Sequence, residues 1–496
     1  MSTRRDFLGG AALLGLGHLP VLRALPPLSA DEVRLDPRSV RLDGGIAPLV
    51  RLVEETPREK LLEEIGARIR RGLSYRELVA ALLLAGVRNV RPRPSVGHKF
   101  HAVLVVNSAH QASLSSPDSD RWLPIFWSID YFKSSQAEEK RTSGWSQGVV
   151  KESSVPPAHK ARQAFIDAME GWDEEAADGA AAALARMSGS HEAFELFSRF
   201  AGRDWRSIGH KPIFVAGGFR LLEAVGWRHA EPVLRSLASA LLMHEGDCPA
   251  KRDDPADRPG RRNRELCGKI RGEWREGKVD DGATRDLLAA LRQGSEEDVP
   301  KKAVELLNGG VSPRSLWDAF LAGAGELVMR RPDIRSLHAA TTMNALLHCW
   351  QEAGSDETRR LLLLQAASFV TLFRGEPAGP KEPRIDELEA ASPGAEPVKE
   401  IFADVSRDRA AAARKVLGFL KGGAPAAELM DAARILVFLK GTNAHDYKFS
   451  QAALEDCGKL SPGWRERYLA SSVFLLRGSD GPDNALVGRT RAALKA

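Results

Sequence analysis

The chain has 496 residues, of which 43% are hydrophobic and 28% charged, with a formal net charge of +5 at pH 7. That length can bury a large core, and so small a charge over so long a chain excludes the basic footprint of a nucleic-acid binder. The four cysteines, Cys248, Cys267, Cys349 and Cys457, form no CxxC or CxxCH, which excludes cysteine-held clusters and haem attachment. In an oxidising compartment Cys248 and Cys267 are the nearest pair for a disulfide.

The chain opens on Thr3-Arg4-Arg5-Asp6-Phe7-Leu8-Gly9, followed by an apolar run over 11–16 and a second through Val21 and Leu25. Paired arginines, then Phe-Leu, then a short, moderately apolar stretch resemble a twin-arginine export signal, expected over residues 1–30. Gly9 departs from the lysine often found after the Phe-Leu pair, and no clean small-x-small cleavage site precedes Leu28-Ser29-Ala30. The run is broken by Gly15, Gly17, His18 and Pro20, too short for the ~20 apolar residues of a spanning helix. The expected location is therefore periplasmic or otherwise extracytoplasmic, reached through the twin-arginine translocation machinery, with no membrane span in the mature chain.

Behind the signal, helical periodicity dominates and strand alternation is scarce. Leu61, Leu62, Ile65 and Ile69 share one face of a charged helix, and the next helix, 75–87, is stopped by Val90-Arg91-Pro92-Arg93-Pro94. A third starts near Gly97 and is unusually apolar from Val103 to Ala109. Further helices are predicted over 161–169, 174–187, 193–200, 212–225, 231–243, 284–291, 302–307, 313–328, 338–352, 358–373, 397–402, 410–420, 425–441 and 444–456. Two charged, proline- and glycine-bearing stretches, near 249–281 and 374–396, read as long loops. No fixed-period repeat marks a solenoid. The expectation is an all-α protein, one large irregular multi-helix domain over 31–496.

Motifs of common chemistry are missing: there is no HExxH, no Walker loop, no GxSxG, and no GxGxxG after a strand. The histidines are more informative. His98 and His101 stand three apart at the start of the apolar third helix, where His101 shares a face with Leu104, Val105 and Ser108. An imidazole on a buried face needs a partner, which a backbone carbonyl or a metal ion can equally supply. His210 precedes Lys211-Pro212; with Pro212 in the first helical position, His210 lies just ahead of a helix N-terminus, where the dipole disfavours imidazolium. His338 opens Leu337-His338-Ala339-Ala340-Thr341, and His348 on the same helix points about 80° away by angular arithmetic, so the two do not share an ion. In Gly441-Thr442-Asn443-Ala444-His445, Gly441 ends one helix and Asn443 caps the next, placing His445 and Lys448 on one face. His244-Glu245-Gly246-Asp247-Cys248 gathers three ligand types but runs into a charged, solvated loop.

Four of these segments together resemble the questin oxidase-like family: the early helix with His101, His210-Lys211-Pro212-Ile213 leading into Phe219 to Trp227, His338 to Thr341, and His445 to Lys448. The likeness runs from about residue 97 to 455 through short motifs. It implies a helical fold and a mononuclear non-haem iron oxygenase acting with dioxygen on a small organic, aromatic substrate. It further implies His101, His210, His338 and His445 as metal ligands and Lys448, carboxylated, as an oxygen ligand. His98 competes with His101 for the first role. The catalytic acid or base is not indicated, and two alternatives stay open: a zinc-dependent hydrolase, and a non-catalytic helical binding or scaffold protein whose histidines are structural. Fe(II) is the expected cofactor, with zinc as the competing ion.

Overall fold

The computed structural model describes residues 45–117 and 120–495; the export signal expected over residues 1–30 lies outside them. Among the described residues the protein is all-α, with 22 α-helices, short 3-10 turns and one isolated β-bridge between Lys278 and Val311. Helices α1 (Ala47–Glu55), α2 (Arg58–Arg70) and α3 (Tyr75–Asn89) precede α4 (His101–Leu114) and α5 (Leu123–Thr142). Next come α6 (Ala158–Gly171), α7 (Glu174–Met187), α8 (Ser190–Ala201), α9 (His210–Val225), α10 (Ala230–Leu241) and α11 (Arg258–Cys267). The middle of the chain forms α12 (Asp281–Gln293), α13 (Asp298–Asn308), α14 (Pro313–Arg330), α15 (Ile334–Glu352) and α16 (Asp356–Arg374). The last six are α17 (Pro397–Arg407), α18 (Arg409–Lys421), α19 (Ala426–Lys440), α20 (Ala444–Cys457), α21 (Pro462–Ser472) and α22 (Ala485–Lys495).

The centre is a ring of four helices: α4 packs on α9, α9 on α15, α15 on α20, and α20 back on α4. Their sequences explain this position. Residues 101–110 of α4 and 336–347 of α15 are buried without interruption, so neither helix has a solvent face; a helix apolar or small all round belongs in a core. Flanking helices complete the burial, with α3 against α4 and α9, α14 and α16 against α15, and α21 against α20. None of the helices among the described residues is long and apolar enough to cross a membrane.

The ring helices begin at defined caps. Asp333 accepts from the backbone N–H groups of Arg335 and Ser336, and Asn443 from those of His445 and Asp446; both form capping boxes, which fix where α15 and α20 start. Helix α9 starts two residues before the expected 212, at His210, because Gly209 takes a left-handed conformation (φ +76°) that turns the chain into the helix.

Two expectations need correction. The stretch 249–281 is not simply a loop: α11 lies inside it, buried through Pro259, Gly260, Asn263 and Cys267. Its contact with α16 is polar, Asn263 Nδ2 donating to Gln365 Oε1 (2.6 Å) and Ser368 Oγ (2.9 Å), so no apolar period announces it. The Cys248–Cys267 disulfide does not form; all four cysteines are free, with Cys267 turned into the core and Cys248 against the Gly171 carbonyl. Stretch 374–396 is irregular as expected, with one 3-10 turn at Ile385–Glu387.

Candidate metal centre

Each ring helix contributes one histidine from its first residues: His101 is the first residue of α4, His210 the first of α9, His445 the second of α20, and His338 the fifth of α15. The four helices therefore run away from one point, where one ring nitrogen from each imidazole lies within 4.8 Å of the other three. This group can hold a metal ion. His101, His210 and His338 are buried and His445 is half-buried, the most accessible of the set.

Hydrogen bonds fix the chemistry of three rings. His101 Nδ1 donates to the His98 carbonyl (2.7 Å), His210 Nδ1 to the Ser207 carbonyl (2.5 Å), and His338 Nδ1 to the Ile334 carbonyl (2.6 Å). A carbonyl can only accept, so the proton of each neutral ring sits on Nδ1 and the Nε2 lone pair is free. Those lone pairs face one another: Nε2 of His210 is 3.1 Å from that of His101 and 2.9 Å from that of His338. Two acceptors at such distances repel unless a cation or a proton lies between them. The Nε2 of His445 is buried and has no hydrogen-bond partner.

Protonation is not the answer the environment favours. Burial first, then the positive charge of Lys448, hold His101, His210 and His338 far below the usual imidazole range and bring His445 down to about 4. Neutral imidazole is the metal-binding form. Lys448 itself is 2% exposed, its Nζ has no hydrogen-bond partner, and burial lowers its pKa to about 7. It follows His445 by three residues on α20, and its charge lowers all four imidazoles.

The backbone around the rings is strained where it does the orienting. Four non-glycine residues among those described have positive φ; three of them, His98 (49°), Ser207 (53°) and Ile208 (48°), flank the cluster. His98 and Ser207 are the residues whose carbonyls hold the Nδ1 protons of His101 and His210. A left-handed β-branched residue such as Ile208 costs on the order of 1–3 kcal/mol and persists only where surrounding structure imposes it. Gly97 permits the closest approach: a Cβ there would stand 3.1 Å from Cε1 of His210 and 3.4 Å from Cε1 of His101.

A second layer pins the helix starts. Lys211 is buried with its Nζ donating to both Asp204 carboxylate oxygens (2.9 and 2.8 Å) and to the Leu241 carbonyl (2.9 Å), which anchors the first turn of α9. Arg477 pairs with both oxygens of Asp446 (2.7 and 2.6 Å) at the start of α20. Beside Lys448, Tyr447 is fully buried and packs on Trp127 at 4.6 Å between ring centroids.

The geometry separates the other candidates. His98 is exposed and contributes its carbonyl, not its ring. His348 sits at the far end of α15 against Phe194. His244 donates through Nδ1 to the Leu242 carbonyl and packs on Trp172. Sequence reasoning missed Gly97, Ser207, Lys211 and Asp204; only the Gly209-His210 junction hinted at a special turn. Compared with protein-family models, characterised proteins and solved structures, the chain matches none of them.

Proposed function

We propose that this protein is an exported metal-dependent oxidoreductase, a non-haem iron oxygenase in which His101, His210, His338 and His445 hold one Fe(II) ion and which acts with dioxygen on a small organic, aromatic substrate. The observation that carries this reading is the convergence of Nε2 lone pairs, three of them fixed by a carbonyl on Nδ1, inside a closed ring of helices. The separations of 2.9 and 3.1 Å are short enough for the three nitrogens to share one metal ion at ~2.1 Å.

Lys448 suits the role of a further ligand. Carboxylation of its unpaired, buried amine would supply an anionic oxygen and offset the charge of a divalent ion where no carboxylate joins the cluster. A ferrous ion supplies the electron transfer to dioxygen that amino-acid side chains do not perform. The chain's own groups hold and orient: the carbonyls of His98, Ser207 and Ile334 keep each Nδ1 protonated and each Nε2 available. Beyond Tyr447, which packs on Trp127, lies a cleft of about 770 Å³ lined by the Trp127 and Tyr131 rings together with Arg58, Asp130, Lys440 and Arg489. The Arg4-Arg5 start supports delivery to the periplasm by a route that carries folded, metal-loaded proteins.

Elemental analysis of chelator-free wild type beside a His338→Ala variant tests the reading. Stoichiometric iron in the wild type and background metal in the variant are expected. Equal metal in both rejects the site, and zinc in place of iron rejects the oxygenase while leaving the site standing.

A further inference from the structure

Far from the imidazole cluster, α8, α9 and the last turns of α15 enclose a cavity of about 240 Å³. His348, on its wall, follows His338 by ten residues of the same helix, or ~15 Å along its axis. The interior is aromatic: Phe194 meets Phe219 edge to face at 4.9 Å, Phe219 lies 6.1 Å from Trp227, and Leu222 closes the floor. Phe194 also packs on the His348 ring at 5.8 Å. The rim is acidic. Glu223 from α9 and Glu352 from α15 both line the opening and are exposed, and neither has an ion-pair partner among the described residues.

Behind the wall Arg220 and Lys459 are paired with Glu455, and burial first holds the His348 imidazole neutral, with a pKa of about 3. Desolvation disfavours a ligand's positive charge at depth, the two carboxylates favour it at the mouth, and the interior takes an apolar body. The volume lies below the ~300 Å³ at which pockets for drug-sized molecules begin. We propose that this cavity is a second binding site, for a small primary amine with an aromatic tail: the tail enters among Phe194, Phe219 and Trp227, and the ammonium group stays at the rim between Glu223 and Glu352. The ring faces add cation–π attraction to the two carboxylates, a combination that recurs where proteins take organic ammonium ions.

The test is calorimetric titration of the full-length protein with 2-phenylethylamine and with the uncharged 2-phenylethanol. The wild type is expected to bind the amine about tenfold more tightly than the alcohol, the scale of one or two half-exposed charge and cation–π contacts. A Glu223→Gln/Glu352→Gln variant changes only exposed side chains and keeps the fold; it should bind both molecules alike. Trp227→Ala should weaken both. No binding of the amine to the wild type, or an amine preference that survives the double substitution, overturns the proposal. His338→Ala should leave amine binding unchanged, so failure of the metal reading and failure of this one are told apart.

Discussion

Two buried polar clusters hang on the same ring of helices, and they differ in how their charges are met. At the far end, Glu455 of α20 takes Arg220 (2.6 and 3.1 Å), Lys459 (2.6 Å) and Asn344 (3.2 Å), and Asn344 also donates to Asp456 (2.8 Å). Cations and carboxylates there offset one another within the chain. At the near end four neutral imidazoles converge with no carboxylate among them, and their lone pairs point at a common centre. Buried charge met by its opposite holds helices together. Buried polarity that converges without closing marks a place for something else.

Substitutions sharpen this contrast, beginning with the largest effect. His338→Ala should abolish metal binding and with it the metal's contribution to stability, so that wild type and variant differ in thermal midpoint only before chelator is added. Arg220→Met at the far end should destabilise the protein by ~1–3 kcal/mol whether or not metal is present, since it leaves the partly exposed Glu455 with Lys459 and Asn344 alone; chemical denaturation reads this. Gly97→Ala places a methyl against two ligand rings and should lower metal affinity ~10–100-fold, the range for disturbed ligand orientation, with little change in the metal-free fold. Lys448→Met should behave in opposite senses by state: it removes an unpaired buried amine and so stabilises the metal-free protein by ~1 kcal/mol, yet weakens metal retention.

The two clusters respond to pH in opposite senses. Burial pushes Asp456 up to about 7. Its folded pKa therefore exceeds that of the unfolded chain, so its contribution is fully favourable below the ordinary aspartate range and is lost as pH rises toward 7. The four depressed imidazoles make metal-free stability rise between about pH 4 and pH 7 and Asp456 opposes that rise, so Asp456→Asn should steepen it, measured by denaturation at each pH.

Much of the fold is legible in the sequence because the ring helices carry strong signals: the Asn443 cap, the apolar start of α4, and the small and apolar residues of α15 around His338. Helix α5 escapes notice since its inner face carries Asp130, Lys133, Gln136 and Glu139, with Lys133 donating to the Val53 and Glu54 carbonyls. At the site, each histidine taken alone reads as a core or surface residue. His101 and His210 are 109 residues apart and His210 and His338 are 128 apart, so no local pattern joins them. The orienting carbonyls are less legible still: positive φ at His98, Ser207 and Ile208 falls on residue types that do not advertise it. The four histidines are expected as a set only through the likeness of four short motifs, and the carbonyls of His98, Ser207 and Ile334 are the reason three of them are held in one tautomer.

The central claim is that four imidazoles bind one metal ion at this point. X-ray absorption at the metal edge of the purified, metal-loaded protein tests it most directly. The account predicts a first shell of nitrogen and oxygen at ~2.1 Å with the outer-shell scattering of several imidazole rings. A sulfur shell near ~2.3 Å, or a first shell without imidazole scattering, contradicts it.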